Sequence, residues 1–295
     1  MHDQFRGTGV AIVTPFHSSG NIDFGSFEKL LEHVIGNGIN YIVALGTTGE
    51  SATLSRDEKV AVINFVTEVV NKRVPVIIGI GGNNTQEIIN TIKVTGFENI
   101  NAILSVSPYY NKPQQQGIYN HYRAIAGACP VPVILYNVPG RTSSNISADT
   151  TLKLAREIKN IVGIKEASGN LLQCMDIIKN RPKDFLVISG DDALTLPIVT
   201  LGGDGVISVV ANAFPGKFSD MVNMALNGKI EKAKSIHYSL LDIINALFMD
   251  GNPSGIKAAL NILGICEKYV RLPLVNVNDE TQARLEDLIS AYQKS

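Results

Sequence analysis

Two strand ends in this sequence carry side chains that could take part in the chemistry of a carbonyl group. Lys165 follows four mostly apolar residues, 161–164, which predict a short buried strand. Tyr136 ends an earlier apolar run, residues 131–136, in the same kind of position. A buried amine that has lost its proton attacks a carbonyl carbon, and a phenol beside it can relay protons. Taken alone, the segment also allows a lysine solvated at the rim of the strand.

Two polar segments after predicted strands could bind carboxylates. Residues 46–51, Gly-Thr-Thr-Gly-Glu-Ser, combine hydroxyls with glycines that leave backbone N–H groups free, although an ordinary glycine turn has the same composition. Arg141 offers a planar fork for a second carboxylate, with a surface salt bridge as the alternative. With Lys165 and Tyr136, these groups suit imine chemistry on a small keto acid.

Three other segments carry groups that could take part in chemistry or binding. Asp191 and Asp192 predict charges at a helix N-terminus and no metal site, because the five histidines are dispersed. Tyr109 and Tyr110 are adjacent and cannot point the same way, so one could face the site and the other an interface or a second pocket. Alternatively, both could pack against neighbouring loops. Residues 79–84 are glycine-rich but lack the third glycine of a dinucleotide fingerprint. We therefore expect neither a metal nor a nucleotide cofactor.

Apolar runs alternating with helical patterns predict the elements that position these groups. The runs are residues 9–13, 41–45, 74–78, 102–106, 131–136, 161–165, 185–189 and 205–209. Continuous apolar strands between helices favour a parallel sheet. Eight such strands are the number found in the (β/α)8 TIM barrel, which is an α/β fold. A doubly wound sheet would require a phosphate loop after its first strand, which is missing. In a barrel, Lys165 and Tyr136 would end neighbouring strands about 5 Å apart.

Helix signals complete the predicted architecture. Asp23 is a candidate N-cap, and Ser55 with Glu58 has the spacing of a capping box. Further helices are predicted after Gln115, Ser147 and Asn170. We expect residues 1–213 to form the barrel and residues 214–295 to form a C-terminal helical region packed on it.

Composition narrows the class of partner. The chain has 295 residues and a formal net charge of -1, so no basic excess attracts nucleic acid or an anionic membrane. Cys129, Cys174 and Cys266 are scattered and fit no metal or redox motif, which suits a reducing compartment. No signal peptide or membrane-length apolar run is visible. The sequence predicts a soluble, cytoplasmic protein.

Four segments in their order and spacing carry a specific resemblance. Residues 46–51, 107–113, 136–142 and 163–169 resemble the motifs of the dihydrodipicolinate synthase and N-acetylneuraminate lyase superfamily. The Arg141-Thr142 pair and the Thr47-Thr48 pair are typical of its synthase branch, since the lyases usually lack the arginine and commonly carry Ser-Thr. The resemblance spans roughly residues 8–210, and the helical tail is consistent with it.

The resemblance implies a lyase with a Schiff-base mechanism and no cofactor beyond the covalent imine. Lys165 would condense with pyruvate, and the derived enamine would attack the aldehyde of aspartate-β-semialdehyde. Cyclisation would release 4-hydroxy-tetrahydrodipicolinate, in the first committed step of diaminopimelate and lysine biosynthesis. A related aldolase acting on N-acetylneuraminate or a 2-keto-3-deoxy sugar acid is the nearest alternative. A barrel that binds a keto acid without turnover is the alternative from another class.

The resemblance also implies residue roles and an assembly. Tyr136 would relay protons through Thr47 to Tyr110, which a neighbouring subunit would donate within a homotetramer built as a dimer of dimers. Thr47 and Thr48 would hold the pyruvate carboxylate, and Arg141 that of the second substrate. The pyruvate pocket would also be lined by the backbone groups of Gly190 and Ile207.

Members of this family that are inhibited by L-lysine bind it at a dimer interface. The matching positions here are Ser51, Ala52, Arg56, Lys59, Asn83, Glu87 and Tyr109. Arg56 and Lys59 depart from the sensitive pattern, which often has histidines there. Glu87 could receive the ammonium of the effector, but Lys59 adds a cation where a cation binds. We expect weak or absent inhibition by L-lysine.

Overall fold

Eight parallel strands close into a barrel. The computed structural model describes residues 2–294. Each strand pairs with the next along the chain, and the eighth pairs with the first. The strands are β1 Gly7–Ala11, β2 Tyr41–Ala44, β3 Val76–Gly79, β4 Ala102–Val106, β5 Val133–Asn137, β6 Ile161–Glu166, β7 Leu186–Ser189 and β8 Gly205–Ser208. The predicted (β/α)8 barrel is confirmed.

Helices follow the strands and form the outer layer. They are α1 Phe24–Gly36, α2 Arg56–Val70, α3 Thr85–Val94, α4 Gln115–Ala128, α5 Pro139–Thr142, α6 Ala148–Glu157, α7 Leu171–Asn180, α8 Thr195–Thr200, α9 Pro215–Leu226, α10 Ile230–Leu247, α11 Ser254–Ile262 and α12 Asp279–Lys294. Asp23 caps α1 by accepting from the Ser26 N–H, and the Ser55–Glu58 capping box opens α2. These two predicted helix starts are confirmed, because capping depends on local chemistry.

Several predicted strand ends were shifted by one or two residues. The first strand was predicted at 9–13 but is β1. The Ile12 N–H still donates to Val43 O, whereas the Val13 N–H donates to the Asn212 side chain and leaves the ladder. The helix α5 was not predicted, although Pro139 stands at its first position, where proline favours helix initiation.

An irregularity in β6 decides which side chains face the barrel interior. The pairing of β5 with β6 shifts register just after Val133. Val162 packs in the interior cluster, whereas Ile164, two residues later, packs in the outer cluster under the helices. In a regular strand these two side chains would share a face. The bulge reverses the alternation, so that Lys165 turns inward.

The C-terminal helices share the outer core of the barrel. The helix α9 packs against β1 and β8, and α10 lies between α9 and α12. Their apolar side chains belong to the same buried cluster as the helices of the barrel. The predicted division at residues 213 and 214 remains a prediction. Within residues 2–294, no helix has the length and apolarity needed to cross a membrane.

Candidate active site

Lys165 lies at the C-terminal mouth of the barrel with its side chain almost fully buried, at 5% exposure. It pairs in register with Tyr136 of β5 and Ile188 of β7. Its Nζ lies 4.5 Å from the centroid of the Tyr136 ring. Lys165 forms no ion pair with any described residue. The amine is therefore buried beside a phenol, with no carboxylate partner among the described residues.

Space for the lysine side chain depends on Gly190, which follows β7. A Cβ atom at this position would lie 2.9 Å from Lys165 Cε and 2.7 Å from Ala167 Cβ. Real Cβ atoms do not approach other carbons so closely, so any larger residue would displace the lysine. Ile207 of β8 is buried in the same interior cluster as Tyr136. Gly190 thus lies directly against the lysine, and Ile207 faces the barrel interior.

A buried carboxylate behind the lysine was missed by the sequence analysis. Glu166 faces away from the interior and is 1% exposed. It accepts hydrogen bonds from Asn137 Nδ2 at 3.0 Å and from Gln173 Nε2 at 2.8 Å. Asn137 follows Tyr136 just as Glu166 follows Lys165, so this contact joins the ends of β5 and β6. The two catalytic candidates are thereby held in fixed relative positions.

The loop after β2 carries Thr47 and Thr48. Its turns use the N–H groups of Gly49 and Glu50, which donate to Gly46 O and Thr47 O. The N–H groups of Thr47 and Thr48 donate to no described residue, so they remain free for a ligand. This is the arrangement predicted for a carboxylate site.

The same loop has a strained backbone and a fixed threonine. Leu45 and Glu50 both have left-handed φ values, 57° and 52°, which cost of order 1–3 kcal/mol each for residues other than glycine. Thr48 is 2% exposed, and its hydroxyl oxygen accepts a hydrogen bond from Asn252 Nδ2 at 3.0 Å. Thr47 is half-buried. Such strain persists only where the surroundings hold the loop in place.

Buried contacts from the C-terminal region hold this loop. Glu50 and Lys257 have fully buried side chains, and Lys257 Nζ lies 2.5 Å from Glu50 Oε1. Burial lowers the pKa of the Lys257 amine, and the Glu50 carboxylate opposes that shift. Glu50 Oε2 accepts a further hydrogen bond from the Arg271 N–H at 2.9 Å. No sequence signal pointed to this pair, because its members are 207 residues apart.

Arg141 is exposed in α5 and forms no ion pair with a described residue. The salt bridge considered as its alternative role is therefore absent from the described part of the chain. The loop of Tyr110 is tied to the same helix, since the Tyr110 N–H donates to Thr142 O at 3.3 Å. The Arg141 guanidinium is free to meet an anion at the rim.

Tyr110 does not reach the mouth of its own barrel. Its side chain is 84% exposed and contacts neither Tyr136 nor Thr47. The backbone at Tyr110 has a left-handed φ of 73°. Tyr109 is 42% exposed. Within one chain, the structure brings together Lys165, Tyr136, Gly190 and Ile207, but not Tyr110.

Asp192 does not serve as a helix N-terminal charge, and this prediction was wrong. It is 3% exposed, and its Oδ2 accepts from the N–H groups of Val209 and Val210 at 3.0 and 2.9 Å. It thus anchors the loop after β8. Burial raises the pKa of the Asp192 carboxyl to about 6. Asp191 accepts from the N–H groups of Ala193 and Leu194, in the turn before α8.

The residues of the predicted lysine site lie on neighbouring loops and helix starts. Ser51 and Ala52 begin a short 3-10 helix, Arg56 and Lys59 lie in the first turns of α2, and Glu87 in the first turn of α3. Asn83 Nδ2 donates to Tyr109 O at 3.4 Å and joins two of these loops. No group of histidine, cysteine, aspartate or glutamate among residues 2–294 has the geometry of a metal site.

Comparison with known proteins gives consistent matches over nearly the whole chain. The family model described as "Dihydrodipicolinate synthetase family" matches residues 4–292. The 4-hydroxy-tetrahydrodipicolinate synthase of Flavobacterium psychrophilum is 51% identical over 282 residues, which are 96% of each chain.

Two solved structures extend this likeness to three dimensions. The chloride-inhibited dihydrodipicolinate synthase of Acinetobacter baumannii, complexed with pyruvate, is 42% identical with a TM-score of 0.95 over 98% of this chain and 99% of that one. The DHDPS of Cyanidioschyzon merolae with lysine bound has the same identity, TM-score and coverage.

Proposed function

The chain belongs to the dihydrodipicolinate synthetase family, and we infer from this membership that it condenses pyruvate with aspartate-β-semialdehyde to form 4-hydroxy-tetrahydrodipicolinate. The activity is that of a lyase in the biosynthesis of diaminopimelate and lysine. The observation that carries the mechanism is the buried Lys165 amine, with no carboxylate partner, 4.5 Å from the Tyr136 ring. No structural observation favours a sugar-acid aldolase or a barrel without turnover.

Lys165 forms and later releases the covalent intermediate. Its amine adds to the C2 keto carbon of pyruvate, and loss of water leaves an imine. Tyr136 supplies the proton that the departing hydroxyl needs. Removal of a proton from the pyruvate methyl group gives an enamine, and its terminal carbon attacks the aldehyde of the second substrate. The amino group of that substrate then attacks the imine carbon, which closes the ring and frees the lysine.

The substrate carboxylates are assigned to two separate groups. The free N–H groups of Thr47 and Thr48, with the Thr48 hydroxyl, would bind the pyruvate carboxylate. The unpaired Arg141 would bind the carboxylate of aspartate-β-semialdehyde at the rim. Backbone groups at Gly190 and Ile207 would complete the pyruvate pocket. Glu166 and Asn137 hold the reacting pair from behind.

Reduction with borohydride tests the imine. In the presence of pyruvate, we expect a mass increase on the peptide that carries Lys165, because borohydride converts the imine to a stable secondary amine. Lys257 is the internal control, since it is buried but paired with Glu50. The absence of an adduct on Lys165 at saturating pyruvate would overturn the mechanism and favour a binding role. Assays with each candidate aldehyde separate the synthase from the sugar-acid aldolases.

We propose that a neighbouring subunit supplies Tyr110 to complete the proton relay through Thr47. The support is the outward orientation of Tyr110 and its lack of contact with Tyr136. Mixed oligomers of Lys165→Ala and Tyr110→Phe chains test this. If Tyr110 acts between subunits, each mixed dimer contains one intact site, so an equal mixture regains about a quarter of wild-type activity. If Tyr110 acts within its own chain, the mixture would be no more active than the average of the two variants.

We propose that the chain assembles through this interface into a homotetramer formed from two dimers. We also propose that it acts in the cytoplasm. The three cysteines are free and buried, which suits a reducing environment. Sedimentation of the purified protein distinguishes the tetramer from a dimer.

We propose that L-lysine inhibits this enzyme weakly or not at all. Lys59 and Arg56 add positive charge to the predicted effector site, and like charges oppose binding of a cationic ligand. Initial rates measured against millimolar L-lysine test the proposal, with Lys59→His as the matched variant. Half-inhibition of the wild type well below about 1 mM would contradict it.

A further inference from the structure

The carboxylate-binding loop is joined to the C-terminal region by a set of buried contacts, here called the tail clasp. It consists of Glu50 and Thr48 on the loop and Asn252, Lys257 and Arg271 on the tail. The ion pair between Glu50 and Lys257 has no solvent exposure on either side chain. Two of the three contacts end on Glu50, which is two residues from Thr48.

The polar groups of the Glu50–Lys257 pair are satisfied by specific partners. Lys257 Nζ donates to Glu50 Oε1 at 2.5 Å and to Tyr269 O at 2.8 Å, and it lies 4.1 Å from the centroid of the Phe16 ring. Glu50 Oε2 accepts from the Arg271 N–H. Such a pair holds one geometry, because any movement of the loop would leave a buried charge without a partner.

The clasp also connects to the loop after β1. Thr14 Oγ1 donates to Gly49 O at 2.8 Å, and the Arg271 guanidinium lies 4.4 Å from the Phe16 ring. The Arg271 side chain further donates to Thr53 O at 3.0 Å, just after the threonine loop. The strained segment from Leu45 to Glu50 is therefore held by several contacts, and its position depends on residues of the tail.

A contribution to stability alone does not account for this arrangement. Buried ion pairs are poor stabilisers, because the free energy of removing two charges from water offsets their attraction. This pair instead fixes the backbone that presents the free N–H groups of Thr47 and Thr48. Asn252 adds a hydrogen bond to the Thr48 hydroxyl oxygen, so the hydroxyl hydrogen is turned away from Asn252.

We propose that Lys257 is a positioning residue for the pyruvate carboxylate, acting through Glu50 on the backbone of Thr47 and Thr48. Asn252 orients the Thr48 hydroxyl in the same way. The C-terminal region thus takes part in recognition of the keto acid, although none of its residues contacts the reacting lysine. This inference rests on the proposed function, in which the threonine loop binds the pyruvate carboxylate.

The test uses the full-length double variant Glu50→Gln/Lys257→Met, which removes both charges together and leaves no buried ion unpaired. The amide oxygen introduced by Glu50→Gln can still accept from the Arg271 N–H. We expect the KM for pyruvate to rise about tenfold, as when one hydrogen bond to a charged group is misaligned. The KM for aspartate-β-semialdehyde should change less than about twofold, whereas kcat should fall as well, because Thr47 of the same loop belongs to the proposed proton relay. Asn252→Ala should shift the pyruvate KM in the same direction by a smaller factor.

Arg181 and Asp204 provide the matched control. They form a largely buried ion pair at the opposite end of the barrel, before β8. The variant Arg181→Met/Asp204→Asn should lose thermal stability, because Arg181 also donates to Phe185 O and Gly202 O, but its pyruvate KM should not change. Equal KM changes in the two double variants would overturn the proposal and reduce the clasp to a structural contact. A folded Glu50→Gln/Lys257→Met protein with wild-type pyruvate KM would overturn it as well.

Borohydride trapping separates this proposal from the proposed function. If the inference holds, the double variant forms the Lys165 adduct fully but requires a higher pyruvate concentration for half-maximal trapping. If wild-type protein forms no adduct at any pyruvate concentration, the proposed function itself fails. If the wild-type protein and the double variant form the adduct with the same half-maximal pyruvate concentration, only the role of Lys257 is refuted.

Discussion

Two lysines are buried among residues 2–294, and their surroundings differ in whether they supply a counter-ion. Lys165 lies in the barrel mouth beside the Tyr136 ring, with space left by Gly190 and no carboxylate partner among the described residues. Lys257 lies against the Phe16 ring, but it also contacts Glu50 and a backbone carbonyl. Burial and an aromatic neighbour are common to both. The presence or absence of a counter-ion therefore distinguishes a structural lysine from a candidate nucleophile.

The largest expected effect lies on the Lys165 side of this comparison. Lys165→Arg retains the positive charge but removes the nucleophilic amine, since a guanidinium stays protonated. We expect kcat/KM to fall by at least about 1,000-fold, with no borohydride adduct. Lys257→Met, provided that it folds, should still form the adduct at saturating pyruvate. An adduct on Lys257 in the Lys165→Arg protein would break the comparison.

Stability should respond in the opposite sense. Lys257→Met leaves the Glu50 carboxylate buried without a counter-ion, which should lower the free energy of unfolding by about 3 kcal/mol. Lys165→Met removes an unpaired amine from an apolar interior and should leave stability unchanged or raised. Urea unfolding at neutral pH measures both. Equal destabilisation by the two methionine variants would show that the lysines do not differ in this respect.

Gly190→Ala tests the space around Lys165. The added methyl group would overlap Lys165 Cε and Ala167 Cβ, so the amine should leave its place beside Tyr136. We expect kcat/KM to fall about 100-fold, because misplaced catalytic groups lose rate steeply. Gly127→Ala is the matched control in α4, where a Cβ would meet no atom within 4 Å. Wild-type activity of the Gly190 variant would show that the lysine has more freedom than the structure indicates.

The smallest expected effect concerns the outer side of the tail region. The Arg271 guanidinium holds the pKa of Glu58 at about 2, below its ordinary value of 4.5. Because the folded-state pKa is depressed, the stabilisation is present in full above about pH 4.5 and is lost as the pH falls toward 2.

Glu58→Gln should therefore be less stable than wild type at pH 6 by roughly 1 kcal/mol, allowing for partial exposure, and the difference should shrink to less than about half of that at pH 3. Urea unfolding at both pH values measures it. Glu32→Gln, at the more exposed pair with Arg73, should show a smaller difference. A difference between Glu58→Gln and wild type that is as large at pH 3 as at pH 6 would rule out the ion pair as its source.

Local patterns explain how much of the fold was predictable. Eight apolar runs identified eight strands, because a parallel strand covered on both faces needs apolar residues at every position. The caps at Asp23 and Ser55 depend on neighbours three residues away and were visible for that reason. Strand ends were less accurate, since Val13 is buried although its N–H donates to the Asn212 side chain and not to a neighbouring strand.

The strand-end positions of Lys165 and Tyr136, the threonine pair and Arg141 were all determined by the sequence, because each follows an apolar run. Only the tertiary structure decided that Lys165 faces inward. That orientation depends on a bulge in β6, and a shift of one residue reverses every side chain after it.

The partners of Asp192 and Glu50 were likewise decided by tertiary structure. Asp192 binds backbone N–H groups 17 and 18 residues away, and Glu50 binds an amine 207 residues away. A buried carboxylate must find donors, but the sequence does not state which ones. Sequence therefore determined which groups stand at the barrel mouth. Tertiary packing determined which lysine kept a counter-ion and which was left free to react, because pairing across such separations is set by the folded chain.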